Sequence, residues 1–161
     1  MSEAHTPRRF WMLAGAILCG LSVVTGAFAA HGLGPRMEKL YGNITKEVAG
    51  QEIPGPLKYL NDFKTAAEYQ MTHGLALLAV GLFSRHRRST CMQVAGWSFL
   101  LGIILFSGSL YVLVLTGITR LGAITPFGGV AFLVGWATFA LAILTTKSTC
   151  TAPKGESTPS S

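Results

Sequence analysis

Thr65-Ala66-Ala67-Glu68-Tyr69-Gln70-Met71-Thr72-His73-Gly74-Leu75-Ala76-Leu77-Leu78-Ala79-Val80-Gly81-Leu82-Phe83 decides whether this chain has three or four long apolar helices. Between Glu68 and Arg85 lie only 16 uncharged residues. They make about 24 Å of helix at 1.5 Å per residue, short for a hydrocarbon core of ~30 Å. Starting the span near residue 65 supplies the length but places Glu68 in its first turn. The run Gly74-Leu75-Ala76-Leu77-Leu78-Ala79-Val80-Gly81-Leu82-Phe83 is too apolar for a surface segment, so a span over about 65–84 is expected.

The remaining spans need less argument. Half of the 161 residues are hydrophobic and 12% are charged, against about 25% charged in a soluble domain; the mean hydropathy is +0.45. The charges are segregated. Arg9 and Arg36 enclose 26 residues without Asp, Glu, Lys or Arg, Arg88 and Arg120 enclose 31, and Arg120 and Lys147 another 26. Each run exceeds the ~20 residues a crossing helix requires, giving spans over about 11–30, 94–115 and 121–144. The fold expected is all-α: an integral membrane bundle of four transmembrane helices over 10–146, after a cytoplasmic segment 1–9 and before a disordered, polar tail 147–161.

Lys and Arg close to the spans set orientation. Arg8 and Arg9 abut the first span, Arg85-His86-Arg87-Arg88 forms the short second loop, and Lys147 ends the fourth span. These places share one side of a four-span protein. The other side holds Arg120 and a long first loop, where Arg36, Lys39, Lys46, Lys58 and Lys64 are diluted among Glu38, Glu47, Glu52 and Asp62. The totals are close, seven against six, so density decides: both termini are expected in the cytoplasm of a bacterial plasma (inner) membrane protein. In a competing reading the first span is a cleaved signal peptide ending near Ala27-Phe28-Ala29, but its apolar part is longer than such peptides carry. The net charge of +6 does not point to nucleic acid, because the basic residues sit at span ends without interleaved exposed aromatics.

In the first loop, Gly50 and Pro54-Gly55-Pro56 break any helix. Pro56 then suits a helix start, and Leu57, Leu60, Phe63 and Ala67 recur at helical spacing as an amphipathic lead-in to the second span. Phe10-Trp11 reads as an interfacial anchor. Gly15 with Cys19, Gly26 with Ala30, and Ser98 with Gly102 give spacings of small residues that let helices approach closely.

Span order places most of the polar residues near one membrane face. His31 closes the first span; Glu68, Tyr69, Gln70 and His73 open the second; Ser107, Ser109 and Tyr111 lie late in the third; Thr125 lies early in the fourth, beside Pro126 and Gly128-Gly129. Tyr69, Gln70 and His73 share a helical stripe, whereas Glu68 is turned by about 140° from His73. Ionisable groups within a span usually face the protein interior and mark a site, so His31, Tyr69, Gln70, His73, Ser107 and Tyr111 are expected to converge. The competing reading makes them interhelical hydrogen bonds and small packing residues. Cys19, Cys91 and Cys150 lack metal spacing, and no nucleophile elbow, phosphate loop, zinc-protease or dinucleotide motif occurs. No metal, cofactor or enzymatic activity is expected. A haem held by His31 and His73 is the variant that two histidines on neighbouring helices allow.

Four blocks stand in order: Gly26-Ala27-Phe28-Ala29-Ala30-His31-Gly32-Leu33; Glu68-Tyr69-Gln70-Met71-Thr72-His73-Gly74-Leu75-Ala76-Leu77-Leu78; Phe106-Ser107-Gly108-Ser109-Leu110-Tyr111; and Ile124-Thr125-Pro126-Phe127-Gly128-Gly129 with Gly135-Trp136. Together they resemble the domain-of-unknown-function 423 family of small bacterial inner-membrane proteins, whose animal relatives include the transmembrane protein 256 type. The resemblance covers roughly 13–144 and implies four membrane helices; it supplies no activity. Ala29 stands where such proteins usually have glycine, and the first loop looks longer, the extra material lying about 42–56. The function expected is a structural or accessory subunit, with the lipid bilayer and either further copies or a larger membrane complex as partners. The alternative is a small-molecule or proton-linked binding or transport protein using the polar cluster.

Overall fold

The computed structural model describes residues 6–84 and 90–145. The Arg85-His86-Arg87-Arg88 connection, Lys147, Cys150 and the tail all lie outside the described residues. Helix α1 is Thr6–His31 and is followed by a short helix α2 (Gly34–Tyr41); strands β1 (Thr45–Val48) and β2 (Gln51–Pro54) lead into the long α3 (Gly55–Phe83). Helix α4 (Thr90–Gly102) continues through a π-helical stretch, Ile103–Gly108, into α5 (Ser109–Thr116). A 3-10 turn (Thr119–Ala123) precedes α6 (Thr125–Leu144). Pro35, Pro56 and Pro126 each fall in the first two positions of α2, α3 and α6, where a missing N–H costs nothing. Gly117 ends α5 in the left-handed conformation (φ 77°), its N–H reaching Leu113 O at 2.8 Å, a turn that glycine makes without a Cβ clash.

Among the described residues, three helical stretches are long and apolar enough to cross a membrane: Arg8–His31, Thr90–Thr116 and Thr119–Leu144. Helix α3 is as long, 29 residues, but Lys58, Asp62, Lys64 and Glu68 leave only residues 69–83 uncharged.

The helices lie in an open row. Helix α1 packs along α3, α3 against α4 and the π-helical stretch, and α4 against α6; α1 has no extended contact with α6. The α1–α3 seam is antiparallel and close. A Cβ on Gly15 would meet Gly74 O at 2.7 Å, and one on Gly74 would meet Cys19 Sγ at 2.8 Å, so the Gly15/Cys19 pair does bring the backbones together. Gly26 faces open space instead, since a Cβ there would meet nothing within 4 Å. One hydrophobic core joins Trp11, Leu77, Val80, Phe99, Ile103, Phe132 and Phe139. A second, at the other end, joins Leu33, Met37, Tyr41, Tyr59, Phe63 and Val114.

The structure also corrects the sequence reading at the start of the first span and in the first loop. Trp11, expected at the lipid interface, is enclosed and donates from Nε1 to Gln93 Oε1 at 3.2 Å. Gly96 leaves the space, since a Cβ there would lie 2.7 Å from the indole, while Phe10 and Trp97 stay at the surface. The all-α architecture also carries an antiparallel hairpin, Thr45 opposite Pro54 through Val48 opposite Gln51. Its two-residue turn puts Ala49 and Gly50 at φ 53° and 79°, the mirror-image turn that matches strand twist.

Candidate functional site

Each polar side chain singled out from the sequence has a place in this row, but they do not form one cluster. His73, four residues after Tyr69 on α3, turns inward and is buried. Its Nδ1 lies 2.7 Å from Tyr69 O, and Trp136 Nε1 of α6 donates to its Nε2 at 3.2 Å. An indole N–H can only donate, so Nε2 accepts and the proton sits on Nδ1, facing Tyr69 O. The ring stacks on Phe132, with centroids 3.4 Å apart and planes 9° from parallel. Both nitrogens of the neutral imidazole are thereby used.

Gln70 points the other way, into the α1 seam, where Nε2 donates to Leu18 O at 2.9 Å. Ser22 and Cys19 of α1 reach back to Ala67 O and Met71 O, at 2.7 and 3.8 Å. Tyr111 pairs with Thr25 Oγ1 across 3.1 Å, and Ser109 with Thr125 Oγ1 across 3.0 Å. Ser107, in the π-helical stretch, is fully buried, and its Oγ has no hydrogen-bond partner among the described residues. Helix α6 presses on this stretch closely, since a Cβ on Gly128 would lie 2.5 Å from Phe106 N.

His31 is exposed at the end of α1, and its side chain makes no hydrogen bond among the described residues. A haem pair of His31 and His73 does not fit this arrangement, because the His73 nitrogens are committed and His31 lies on the surface. Among the described residues no group of three or more His, Cys, Asp or Glu is placed to hold a metal ion. Glu68 and Thr72 stand on a ridge of α3 between two open clefts. One, of about 490 Å³, lies against α1 with Ser22 and Gly26; the other, of about 510 Å³, lies against α6 with His73 and Trp136.

Sequence reasoning missed Trp136, Thr25 and Ser22. Trp136 carried a signal, since an indole inside a span needs an acceptor and His73 is the neighbouring helix's imidazole. Thr25 and Ser22 carried none, because small hydroxyl residues are common in membrane helices whether or not they bridge.

Outside the membrane-crossing helices, α2 closes one end of the row. The Tyr41 hydroxyl donates to Val114 O at 3.0 Å and Arg36 Nη2 to Leu115 O at 2.9 Å. These carbonyls belong to the last turn of α5, which has no helical partners of its own for them. Tyr41 stacks on Tyr59 at 3.9 Å. Burial and the neighbouring Tyr59 hold its phenol above the ordinary value, partly offset by Arg36.

A family model described as "Protein of unknown function (DUF423)" matches residues 25–129, a stretch that contains every polar residue above except Cys19, Ser22 and Trp136. The chain is 40% identical over 136 residues to a UPF0382 membrane protein of Staphylococcus epidermidis, covering 84% of this chain and 96% of that one. It is 44% identical over 128 residues to a UPF0382 membrane protein of Staphylococcus aureus, covering 80% and 89%. To the UPF0382 membrane protein YwdK of Bacillus subtilis it is 40% identical over 129 residues, covering 80% and 90%. No solved structure matches. An inward His73 and interhelical hydrogen bonds are thus set within a sequence whose relatives are membrane proteins, and the chain belongs to the DUF423 family.

Proposed function

We propose that this protein is a non-enzymatic accessory subunit of the bacterial plasma (inner) membrane, with four crossing helices and both termini in the cytoplasm. The observation that carries the reading is how its intramembrane polar groups are used. Gln70, Ser22, Cys19, Thr25, Tyr111, Ser109, Thr125 and His73 bond to a partner on another helix. Such bonds are worth roughly 0.6–2 kcal/mol each in a membrane, and they fasten the row without leaving those groups for chemistry.

Helix α3 is the fourth crossing in this reading. It tracks α1 from Gly81, beside Met12, through Gly74 and Ala67 to Phe63, which meets Phe28 at 6.1 Å. Helices paired over that length occupy the same depth, so a membrane crossed by α1 is crossed by α3. Arg8 and Arg9 at the start of α1, with the arginines between α3 and α4, support a cytoplasmic N-terminus by the positive-inside rule. The unpaired flanks of α1 and α6 suit a protein completed by neighbours, either copies of itself or subunits of a larger complex.

The test is purification of the protein from native membranes at native levels in mild detergent. A stoichiometric membrane partner or a defined homo-oligomer is expected. A monodisperse monomer without partners would overturn the accessory role.

A further inference from the structure

The cleft between α3 and α6 is built unlike the seams around it. It is open to the surface, with about 510 Å³ of space, and one side is a continuous aromatic wall. Tyr69 stacks on Phe106 at 4.5 Å and lies 5.9 Å from Phe132; Phe106 and Phe132 are 5.7 Å apart. Trp136 extends the wall past His73. Tyr69 and Trp136 remain 42% and 43% exposed, so part of each ring borders the open cleft.

Two further features bear on what the cleft can hold. Glu68 on its rim has no ion pair or side-chain hydrogen bond among the described residues. Gly129 lines the cleft, and a Cβ there would meet nothing within 4 Å. Glycine in a helix costs about 1 kcal/mol relative to alanine, and here close packing does not explain it, whereas Gly128 beside it is pressed against Phe106. A large side chain in place of Gly129 would narrow the cleft.

We propose that this cleft binds a membrane-dissolved organic monocation that carries aromatic rings. Glu68 takes the charge, and Tyr69, Phe106 and Trp136 take the rings. Aromatic faces attract a cation through their quadrupoles, most strongly where water is excluded, and the single carboxylate supplies the charge complement. The inference goes beyond the accessory role and does not depend on it, since a subunit of a complex can carry such a site.

The test uses the full chain in phosphatidylglycerol nanodiscs, with tetraphenylphosphonium as probe and tryptophan fluorescence as readout. The uncharged triphenylphosphine oxide serves as control. Saturable binding of the cation is expected, with the neutral compound at least about tenfold weaker. Glu68→Gln should reduce cation binding by about tenfold without changing the neutral compound, and Gly129→Leu should abolish both by filling the cleft. Glu52→Gln, on the exposed hairpin, should bind as wild type does. Glu68 is exposed, so its variant folds and carries the test if Gly129→Leu does not. Equal affinity for the charged and neutral compounds, or unchanged binding in Glu68→Gln, would overturn the proposal. Absence of saturable binding overturns it outright and leaves the accessory reading standing.

Discussion

Trp136 on α6 and His73 on α3 are joined by a hydrogen bond of 3.2 Å from indole Nε1 to imidazole Nε2. It ties two helices that are not neighbours in the chain's packing order, across the mouth of the aromatic cleft. Trp136→Phe keeps the ring and removes the donor, leaving Nε2 unpaired. Stability in a denaturant titration in detergent should fall by about 1 kcal/mol. In a His73→Phe background the same substitution should cost much less, since the acceptor is gone. Equal losses in the two backgrounds would show that the bond fastens nothing.

The α1–α3 seam predicts opposite outcomes for two glycines on one helix. Gly15→Ala drives a Cβ against Gly74 O and Leu78, and overpacking of that kind costs about 1–3 kcal/mol. Gly20 faces open space, so Gly20→Ala should be neutral or stabilising by up to about 1 kcal/mol through helix propensity. Unfolding midpoints of the two variants, measured side by side, check this. A common effect would contradict the close approach.

Tyr41 gives a pH signature. Its phenol is held above the ordinary value by burial and then by Tyr59. A raised folded value means the stabilisation is complete below the unfolded phenol's pKa of about 10. It is lost as pH climbs through the folded value. Wild-type protein should therefore lose stability above about pH 10 more steeply than Tyr41→Phe. At neutral pH the variant should already be about 1–2 kcal/mol weaker, because carbonyls at the end of α5 lose their donor. Parallel alkaline profiles would remove the phenol from the closure of the row.

Topology is checked from both ends. A reporter fused after Ser161 should be active only in its cytoplasmic form. Val48→Cys, half-exposed on the hairpin, should react with a membrane-impermeant maleimide in intact cells once Cys19, Cys91 and Cys150 are replaced. An externally active fusion, or a thiol protected until cells are opened, would invert the orientation. Intact mass should also show a chain that retains residues 10–30; a mature start near Ala30 would establish cleavage instead.

The helices were legible because charge spacing is a one-dimensional property: the gaps flanking Arg36, Arg120 and Lys147 state where lipid-compatible helix can form. The start of α3 was legible for the same local reason, Pro56 being a residue that begins helices. The pairing of polar groups was not. Tyr69, Gln70 and His73 share a stripe, yet Gln70 faces α1 while His73 faces α6. Which side of α3 each neighbour occupies depends on the row-like order of helices, and no residue encodes that alone. Trp11 was misread because an aromatic at a span boundary usually anchors to lipid, and the space left by Gly96 lies 85 positions away in sequence. The hairpin escaped because its strands are almost wholly exposed and so lack the alternation of apolar residues that marks a half-buried strand.

That hairpin is closed at its base by one backbone bond, Gly55 N to Ile44 O at 2.6 Å. The departure from α2 and the arrival at α3 are therefore held together whatever lies between them. Chain added or removed beyond that clasp changes little in loop-closure entropy, about 0.6 kcal/mol for each doubling of length, and disturbs neither helix. The segment is consequently a permissive site for variation: epitope tags or altered lengths at Ala49-Gly50 leave the membrane row as it is.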